Sequence, residues 1–98
     1  MRKSILCNNE MPTCYFCGTG NQLERHHCLY GIYREKADKY GLWVYLCHFH
    51  HRGQFGVHSH KGRKRSLELQ SLAQIKFEEK YGHEKFISEF KRNFLGVN

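Results

Sequence analysis

The stretch Glu24-Arg25-His26-His27-Cys28-Leu29 places two histidines side by side in a segment with the character of a β-strand. Cys14 and Cys17 lie upstream of it, and residues 47–51, Cys-His-Phe-His-His, lie downstream. Thiolates and imidazoles are the ligands that structural zinc prefers, and a small chain rarely concentrates so many unless a metal binds. We therefore expect the fold to form around metal ligands, with the histidine pair held between two flanking clusters.

The two flanking clusters have the spacing of zinc half-sites. A Cys-x-x-Cys turn offers two sulfurs from one backbone bend, and a tetrahedral structural zinc needs a second pair from elsewhere. The Cys-x-x-His that follows the second apolar segment supplies that pair. The predicted zinc ligands are Cys14, Cys17, Cys47 and His50, with His51 left open as a substitute for His50. Reduced cysteines packed in a core are the alternative.

The length of the chain, 98 residues, predicts a single domain over 1–98 with a small core, which a metal would help to fold. No apolar run is long enough for a transmembrane helix or for the core of a signal peptide. We therefore expect a cytoplasmic protein that does not bind membranes. Cysteines in that compartment are kept reduced, so the five cysteines indicate metal binding rather than disulfides.

The formal net charge is +7 before any of the eight histidines is protonated, which favours nucleic acid as the partner. The basic segment 52–65 is interrupted by glycines and is predicted to be a mobile loop. The side chains expected to contact phosphates are Arg52, Lys61, Arg63, Lys64 and Arg65. A solvated surface loop is the alternative for the same residues.

Two β-strands are predicted from aromatic and β-branched residues. One covers residues 21–29 around the histidine pair, and the other covers residues 42–46, Leu-Trp-Val-Tyr-Leu. The strands are expected to pair antiparallel, so that the second delivers Cys47 beside the cysteine turn. The polar segment 31–41 between them is interpreted as a surface loop with at most one helical turn.

Two helices are predicted after the basic segment from apolar residues at helical spacing. Ser66 is expected to cap the first, which ends at Gly82, and a second helix follows at once and ends at Gly96. The predicted fold class is therefore α+β. It consists of a small zinc-stapled core over residues 14–60 and two C-terminal helices over residues 66–95.

Three motifs occur in a fixed order, Cys14-x-x-Cys17, Glu24-Arg25-His26-His27 and Leu46-Cys47-x-x-His50-His51. Together they resemble the HNH endonucleases of the ββα-metal group. Zinc-bearing members of that family pair a Cys-x-x-Cys with a later Cys-x-x-Cys/His and carry Asp-His or His-His on the first strand. The resemblance covers residues 14–60, and Gly56-Val57-His58 with the C-terminal helices is similar to small phage-borne members. It implies a metal-dependent endonuclease or nickase that hydrolyses phosphodiester bonds in DNA.

The resemblance also implies roles for single histidines. His26 matches a ligand of the catalytic cation, His27 matches the general base that activates water, and His51 matches the last metal ligand. His58 is a second candidate for that last position, because Gly53 interrupts the helix expected after His51. The implied cation is Mg²⁺, Mn²⁺, Ni²⁺ or Zn²⁺, and two histidine ligands suit the last three better than magnesium.

One part of the family's pattern is missing. Its asparagine normally lies near the start of the second strand and orients the base, whereas Gly41, Leu42 and Trp43 stand there in this chain. A backbone carbonyl would have to take its place. The alternative is a non-catalytic zinc module that binds nucleic acid or a protein partner, for example a phage-encoded inhibitor. A homodimer would let two sites cut both strands, although no residue pattern indicates one.

Overall fold

The computed structural model describes residues 3–54 and 56–95, and in that part of the chain it contains two strands and four α-helices. The elements in chain order are β1 (Leu23–His27), α1 (Arg34–Tyr40), β2 (Trp43–Cys47), α2 (His48–Arg52), α3 (Arg63–Tyr81) and α4 (His83–Phe90). Short 3-10 turns precede α1 at Gly31–Tyr33 and α3 at His60–Gly62. The predicted α+β class is confirmed.

The two strands pair antiparallel, as predicted, with Leu23 opposite Cys47 and His27 opposite Trp43. β1 is shorter than the predicted strand at both ends. β2 is almost completely buried, as expected for an aromatic and β-branched strand in the middle of a small core. Because α2 begins directly after Cys47, its first turn lies against the start of β1.

The segment between the strands, predicted as a surface loop, is instead the seven-residue helix α1. Ala37 and Tyr40 lie one turn apart and are buried against the core, which stabilises the helix despite its charged sequence. Gly41 ends the helix in the left-handed region with φ of 72°, where a Cβ would collide with the carbonyl oxygen of Lys3. The helix brings Asp38 to the histidine pair.

Helix α3 begins at Arg63, so the prediction that Ser66 caps it is wrong and the basic loop is shorter than the predicted 52–65. Ser66 is a buried residue inside the helix. The hydroxyl of Ser59 accepts a hydrogen bond from the Gly62 amide at 3.1 Å and caps the preceding 3-10 turn. The prediction failed because a serine that precedes an apolar stripe can be either a helix cap or a buried residue inside the helix.

Helices α3 and α4 form the predicted C-terminal pair, and Gly82 separates them with φ of 95°. Their facing sides bury apolar side chains that belong to the core of the molecule. These are Leu69, Ala73, Phe77, Phe86 and Phe90. Within the described ranges, no helix combines the length and the apolarity that crossing a membrane requires.

Helix α4 ends at Phe90, earlier than predicted. Lys91 adopts a left-handed conformation with φ of 60°, which stops the helix. The chain then folds back onto α3, where the amide of Phe94 donates to Oε1 of Gln74 at 2.6 Å. The predicted end at Gly96 lies outside the described residues.

Candidate metal centres

The four predicted zinc ligands, Cys14, Cys17, Cys47 and His50, lie together and form what we call the Cys3His cluster. Nδ1 of His50 lies 3.6 Å from Sγ of Cys14 and 3.3 Å from Sγ of Cys47. The Sγ atoms of Cys17 and Cys47 are 3.8 Å apart. A tetrahedral zinc separates its sulfur and nitrogen ligands by roughly 3.5–3.8 Å. The cluster therefore has the dimensions of a site that could hold a metal such as zinc, and His51 is not part of it.

The cysteine turn owes its position to backbone hydrogen bonds. The Gly18 amide donates to the Cys14 carbonyl at 2.9 Å, and Gly18 takes the left-handed φ of 79° that closes the turn. The Tyr15 amide donates to the carbonyl of Tyr45 at 2.9 Å. Because Tyr45 belongs to β2, this bond holds the turn beside Cys47 at the end of that strand.

The surroundings of the Cys3His cluster shift the pKa values of Cys14, His50 and Cys17. Burial raises the pKa of the Cys14 thiol, but backbone amides of Cys47, Cys17 and Phe16 hydrogen-bond to the sulfur, and the net shift is downward. Burial, helped by the charge of Arg65, lowers the pKa of His50. Thiolate and neutral imidazole are the forms that bind zinc, so the shifts at Cys14 and His50 favour metal binding. The pKa of Cys17 is raised: the backbone of Thr19 hydrogen-bonds to its sulfur and lowers the pKa, but desolvation and the neighbouring Cys14 and Cys47 thiols outweigh that bond.

A second group, the three-histidine cluster, consists of His26, His51 and His58. Nε2 of His58 lies 3.0 Å from Nε2 of His51, and both rings are 5.2 Å from the His26 ring. Two nitrogens bound to one ion at about 2.1 Å are roughly 3.0 Å apart in an octahedron and 3.4 Å apart in a tetrahedron. The three imidazoles therefore suit a single cation, and His58 joins His51 instead of replacing it.

Three different segments deliver these histidines. His26 lies on β1, His51 lies on α2, and His58 lies in the turn that follows α2. The turn folds back because the Val57 amide donates to the His50 carbonyl at 2.8 Å and the His58 amide donates to the His51 carbonyl at 3.4 Å. These two bonds place His58 over His51, which spacing along the sequence does not indicate.

Nε2 of His26 has no hydrogen-bond partner, and it is the one buried side-chain nitrogen or oxygen in the described residues of which this is true. Leaving such a group unpaired costs about 1–3 kcal/mol. Burial, followed by the neighbouring His51, His58 and His27, lowers the pKa of His26 to about 3, so the imidazole is neutral and its lone pair is available. A cation would satisfy this nitrogen, so the residues present fit a metal ion.

Glu24 orients the His51 ring from behind. Its Oε1 lies 2.5 Å from Nδ1 of His51 and 3.3 Å from Nε of Arg52. The hydrogen bond from His51, together with nearby positive charge, lowers the pKa of Glu24. In the tautomer that donates Nδ1–H to this carboxylate, the lone pair of His51 would lie on Nε2, which faces His58. Glu24 received no role from the sequence, although its place two residues before His26 puts both on one face of β1.

His27 lies outside the three-histidine cluster but lines the same cavity, a cleft of about 270 Å³ that also contains His26, His51 and His58 and that we call the histidine cleft. Nε2 of His27 is 3.1 Å from Oδ1 of Asp38 on α1. No partner for its Nδ1 is found among the described residues. Asp38 was missed by sequence reasoning, because the segment that contains it was interpreted as a loop.

Basic residues line the histidine cleft, among them Arg25, Arg34 and Arg52, and none of its described lining residues is acidic. Of the predicted phosphate contacts, Arg52 is in this cleft and Arg63 lines an adjoining cavity. The remaining predicted contacts, Lys61, Lys64 and Arg65, line neither cavity, and Arg65 lies 5.5 Å from the ring of Phe16 near the Cys3His cluster. Their contact with phosphate stays a prediction.

Neither a comparison with protein-family models nor searches of curated proteins and of solved structures found a significant match. The fold and its clusters define a small α+β protein whose Cys3His cluster could hold a metal such as zinc.

Proposed function

We propose that this chain is a metal-dependent DNA endonuclease or nickase of the HNH type. The observation that carries the proposal is the buried, unpartnered Nε2 of His26, which lies with two further imidazoles and is followed in the chain by His27. The antiparallel strand pair followed directly by α2, with α1 inserted between the strands and the Cys3His cluster at one end of the sheet, supports the likeness to ββα-metal nucleases. The basic lining of the histidine cleft supports a polyanionic substrate.

In this proposal His26, His51 and His58 hold a divalent cation. Three neutral imidazoles suit manganese, nickel or zinc, whereas magnesium prefers oxygen ligands. When bound, the cation neutralises charge on the phosphate and stabilises the leaving oxygen. Arg25 and Arg52 lie in the same cleft, where their guanidinium groups would bind the phosphates on either side of the cleaved bond.

His27 is the proposed general base. In the proposed tautomer Nε2–H of His27 donates a hydrogen bond to Oδ1 of Asp38, which leaves the lone pair on Nδ1 to take a proton from the attacking water. A neutral imidazole is suited to this task near neutral pH. Asp38 would thereby perform the orienting role of the missing asparagine, from a helix between the strands instead of from the start of the second strand.

The Cys3His cluster has a supporting role in the proposal. All four of its ligands come from the chain, which is typical of a structural zinc and leaves no position for substrate. His50 directly precedes His51 on α2, so an ion bound to His50 would fix the turn of helix that presents His51 to the cleft.

The proposal is tested by incubating supercoiled plasmid with the purified, zinc-loaded chain and, separately, magnesium, manganese, nickel or zinc. We expect relaxed or linear DNA with at least one transition metal. The His27→Ala variant should cleave more slowly by a factor of about 100 or more, with its bound zinc and melting temperature unchanged. His83→Ala, which removes an exposed histidine of α4, is the matched control and should cleave normally.

A non-catalytic zinc module that binds nucleic acid is the second candidate, favoured by the absence of the family's asparagine. It predicts salt-dependent DNA binding and no cleavage with any divalent ion. If His27→Ala cleaves as fast as the unmodified chain, His27 is not the general base. If cleavage occurs without added or bound metal at the three-histidine cluster, the proposed role of the cation is wrong.

A further inference from the structure

A second cavity adjoins the histidine cleft. It has a volume of about 400 Å³ and lies between the first turns of α3, the segment that contains His58, and the chain that follows α4. Tyr30 and His58 line both cavities, so the two cavities lie side by side. The ring of Tyr30 is 6.3 Å from that of His26. We call this second cavity the Tyr30 pocket.

The Tyr30 pocket combines a few apolar side chains with a larger polar and basic lining. Tyr33 and Phe94 pack edge to face at a centroid distance of 5.5 Å within its wall, and Leu67, which is 45% exposed, also lines it. Arg63 and Arg92 also line it, and none of its described lining residues is acidic. A cavity of this size falls within the range of about 300–1,000 Å³ that binds small organic groups.

Polar groups are also available at fixed positions in the Tyr30 pocket. The Tyr30 hydroxyl lies 3.5 Å from Oγ of Ser66 and 3.5 Å from Nε2 of Gln70, distances at the upper limit of a hydrogen bond. All three groups can therefore form better bonds with a ligand. The aromatic rings of Tyr30 and Tyr33, the polar groups and the arginines, of which Arg92 lies 4.8 Å from the centre of the Phe94 ring, together suit a nucleobase with its phosphates.

We infer that the Tyr30 pocket receives one unpaired base next to the cleaved phosphate, so that the substrate is single-stranded or locally unpaired DNA. This inference rests on the proposed function, since the cleaved phosphate is placed in the adjoining histidine cleft. A base inside an intact duplex is stacked on both faces and cannot enter such a pocket unless it leaves the helix. An unpaired base enters without that cost.

The inference is tested by measuring binding of fluorescein-labelled DNA to the zinc-loaded His27→Ala chain by anisotropy. The probes are a single strand, the same strand in a full duplex, and the single strand with one abasic position moved along it. We expect the single strand to bind at least about fivefold more tightly than the duplex, and one abasic position to weaken binding at least about fivefold. Equal affinity for single strand and duplex would overturn the inference.

A matched pair of variants locates the effect. Leu67 and Ile75 are both on α3 and are 45% and 44% exposed, but only Leu67 lines the Tyr30 pocket. Leu67→Glu should remove the preference for the single strand and the response to the abasic position. Ile75→Glu introduces the same charge on the same helix and should preserve both. Equal loss in both variants would show a general charge effect and would overturn the assignment to this pocket.

The two proposals can fail independently. If plasmid is cleaved but single-stranded and duplex probes bind equally, the inference on substrate is wrong and the nuclease proposal stands. If no DNA is cleaved with any metal but the abasic position and Leu67→Glu weaken binding, the nuclease proposal is wrong and the pocket still binds an unpaired base. If the probe binds as tightly as the intact strand wherever the abasic position is placed, the Tyr30 pocket does not receive a base.

Discussion

The carboxylate of Asp38 on α1 lies 3.1 Å from Nε2 of His27 on β1, so a helix between the two strands contacts the histidine that the motif marks as a base. The carboxylate is 39% exposed, whereas His27 is 10% exposed. The contact therefore orients a largely buried ring from the solvent side. It gives His27 a partner that the HNH-like motif in the sequence does not supply.

Substitutions of Asp38 separate orientation from charge. Asp38→Ala removes the acceptor and should lower kcat by about 10–100-fold with little change in KM, because the ring loses its tautomer and direction. Asp38→Asn keeps an acceptor oxygen and should retain more of the rate. Steady-state cleavage of a labelled oligonucleotide provides the measurement. Glu35→Ala, a neighbouring acidic residue on α1, is the control, and an equal loss in that variant would contradict the assignment.

Removal of one histidine from the three-histidine cluster should weaken binding of the cation at that cluster and leave the zinc of the Cys3His cluster in place. His58→Ala leaves His26 and His51 with an incomplete ligand set, so the affinity for added manganese or nickel should fall at least about tenfold. Zinc in the Cys3His cluster should remain at one ion per chain. Calorimetric titration and elemental analysis measure the two quantities. Unchanged affinity for the added ion would exclude His58 as a ligand.

Loss of a ligand in the Cys3His cluster should affect folding as well as metal content. Cys14→Ser should release zinc and lower the melting temperature by more than about 10 °C, because metal binding contributes to the free energy of folding in a chain of this size. Cys7→Ser, which lies outside the cluster, is the control. Thermal unfolding followed by circular dichroism tests this, and equal stability of the two variants would show that the cluster is not a structural site.

The acid stability of the chain should depend on Glu24. Its pKa is lowered from 4.5 in the folded chain by the hydrogen bond from His51, so its stabilising effect is complete above that value and is lost as the pH falls through the lower, folded pKa. Glu24→Gln should therefore lower the free energy of unfolding at neutral pH. In acid, the difference in the free energy of unfolding between the variant and the unmodified chain should become smaller. Urea unfolding at a series of pH values measures this. A difference that grows toward low pH would contradict it.

The sequence predicted the Cys3His cluster because ligand spacing and strand pairing determine it almost entirely. Cys14 and Cys17 share one turn, and the antiparallel register places Cys47 opposite Leu23, a short distance along the chain from that turn. Neither relation requires knowledge of the rest of the chain. The pairing of the strands could also be predicted from the sequence, because β2 is a continuous apolar and aromatic run.

The contacts that the sequence did not predict depend on packing and backbone hydrogen bonds that no local sequence pattern indicates. Helix α1 was missed because two buried residues, Ala37 and Tyr40, determine its inner face in an otherwise charged segment, and Asp38 was missed with it. His58 was seen as a competitor of His51 because the return of the chain over α2 depends on backbone bonds. Ser66 was misassigned as a cap because its burial arises from the fold and not from its neighbours in sequence.

The central claim is that a cation held at His26, beside His27, makes this chain a nuclease. It is tested most directly by the rate of plasmid nicking as manganese is titrated into the zinc-loaded chain and into its His26→Ala variant. We expect a saturable increase for the unmodified chain, and for the variant a rate at least about 100-fold lower or a requirement for at least about tenfold more manganese. Identical rates and identical manganese dependence in the two proteins would contradict the account.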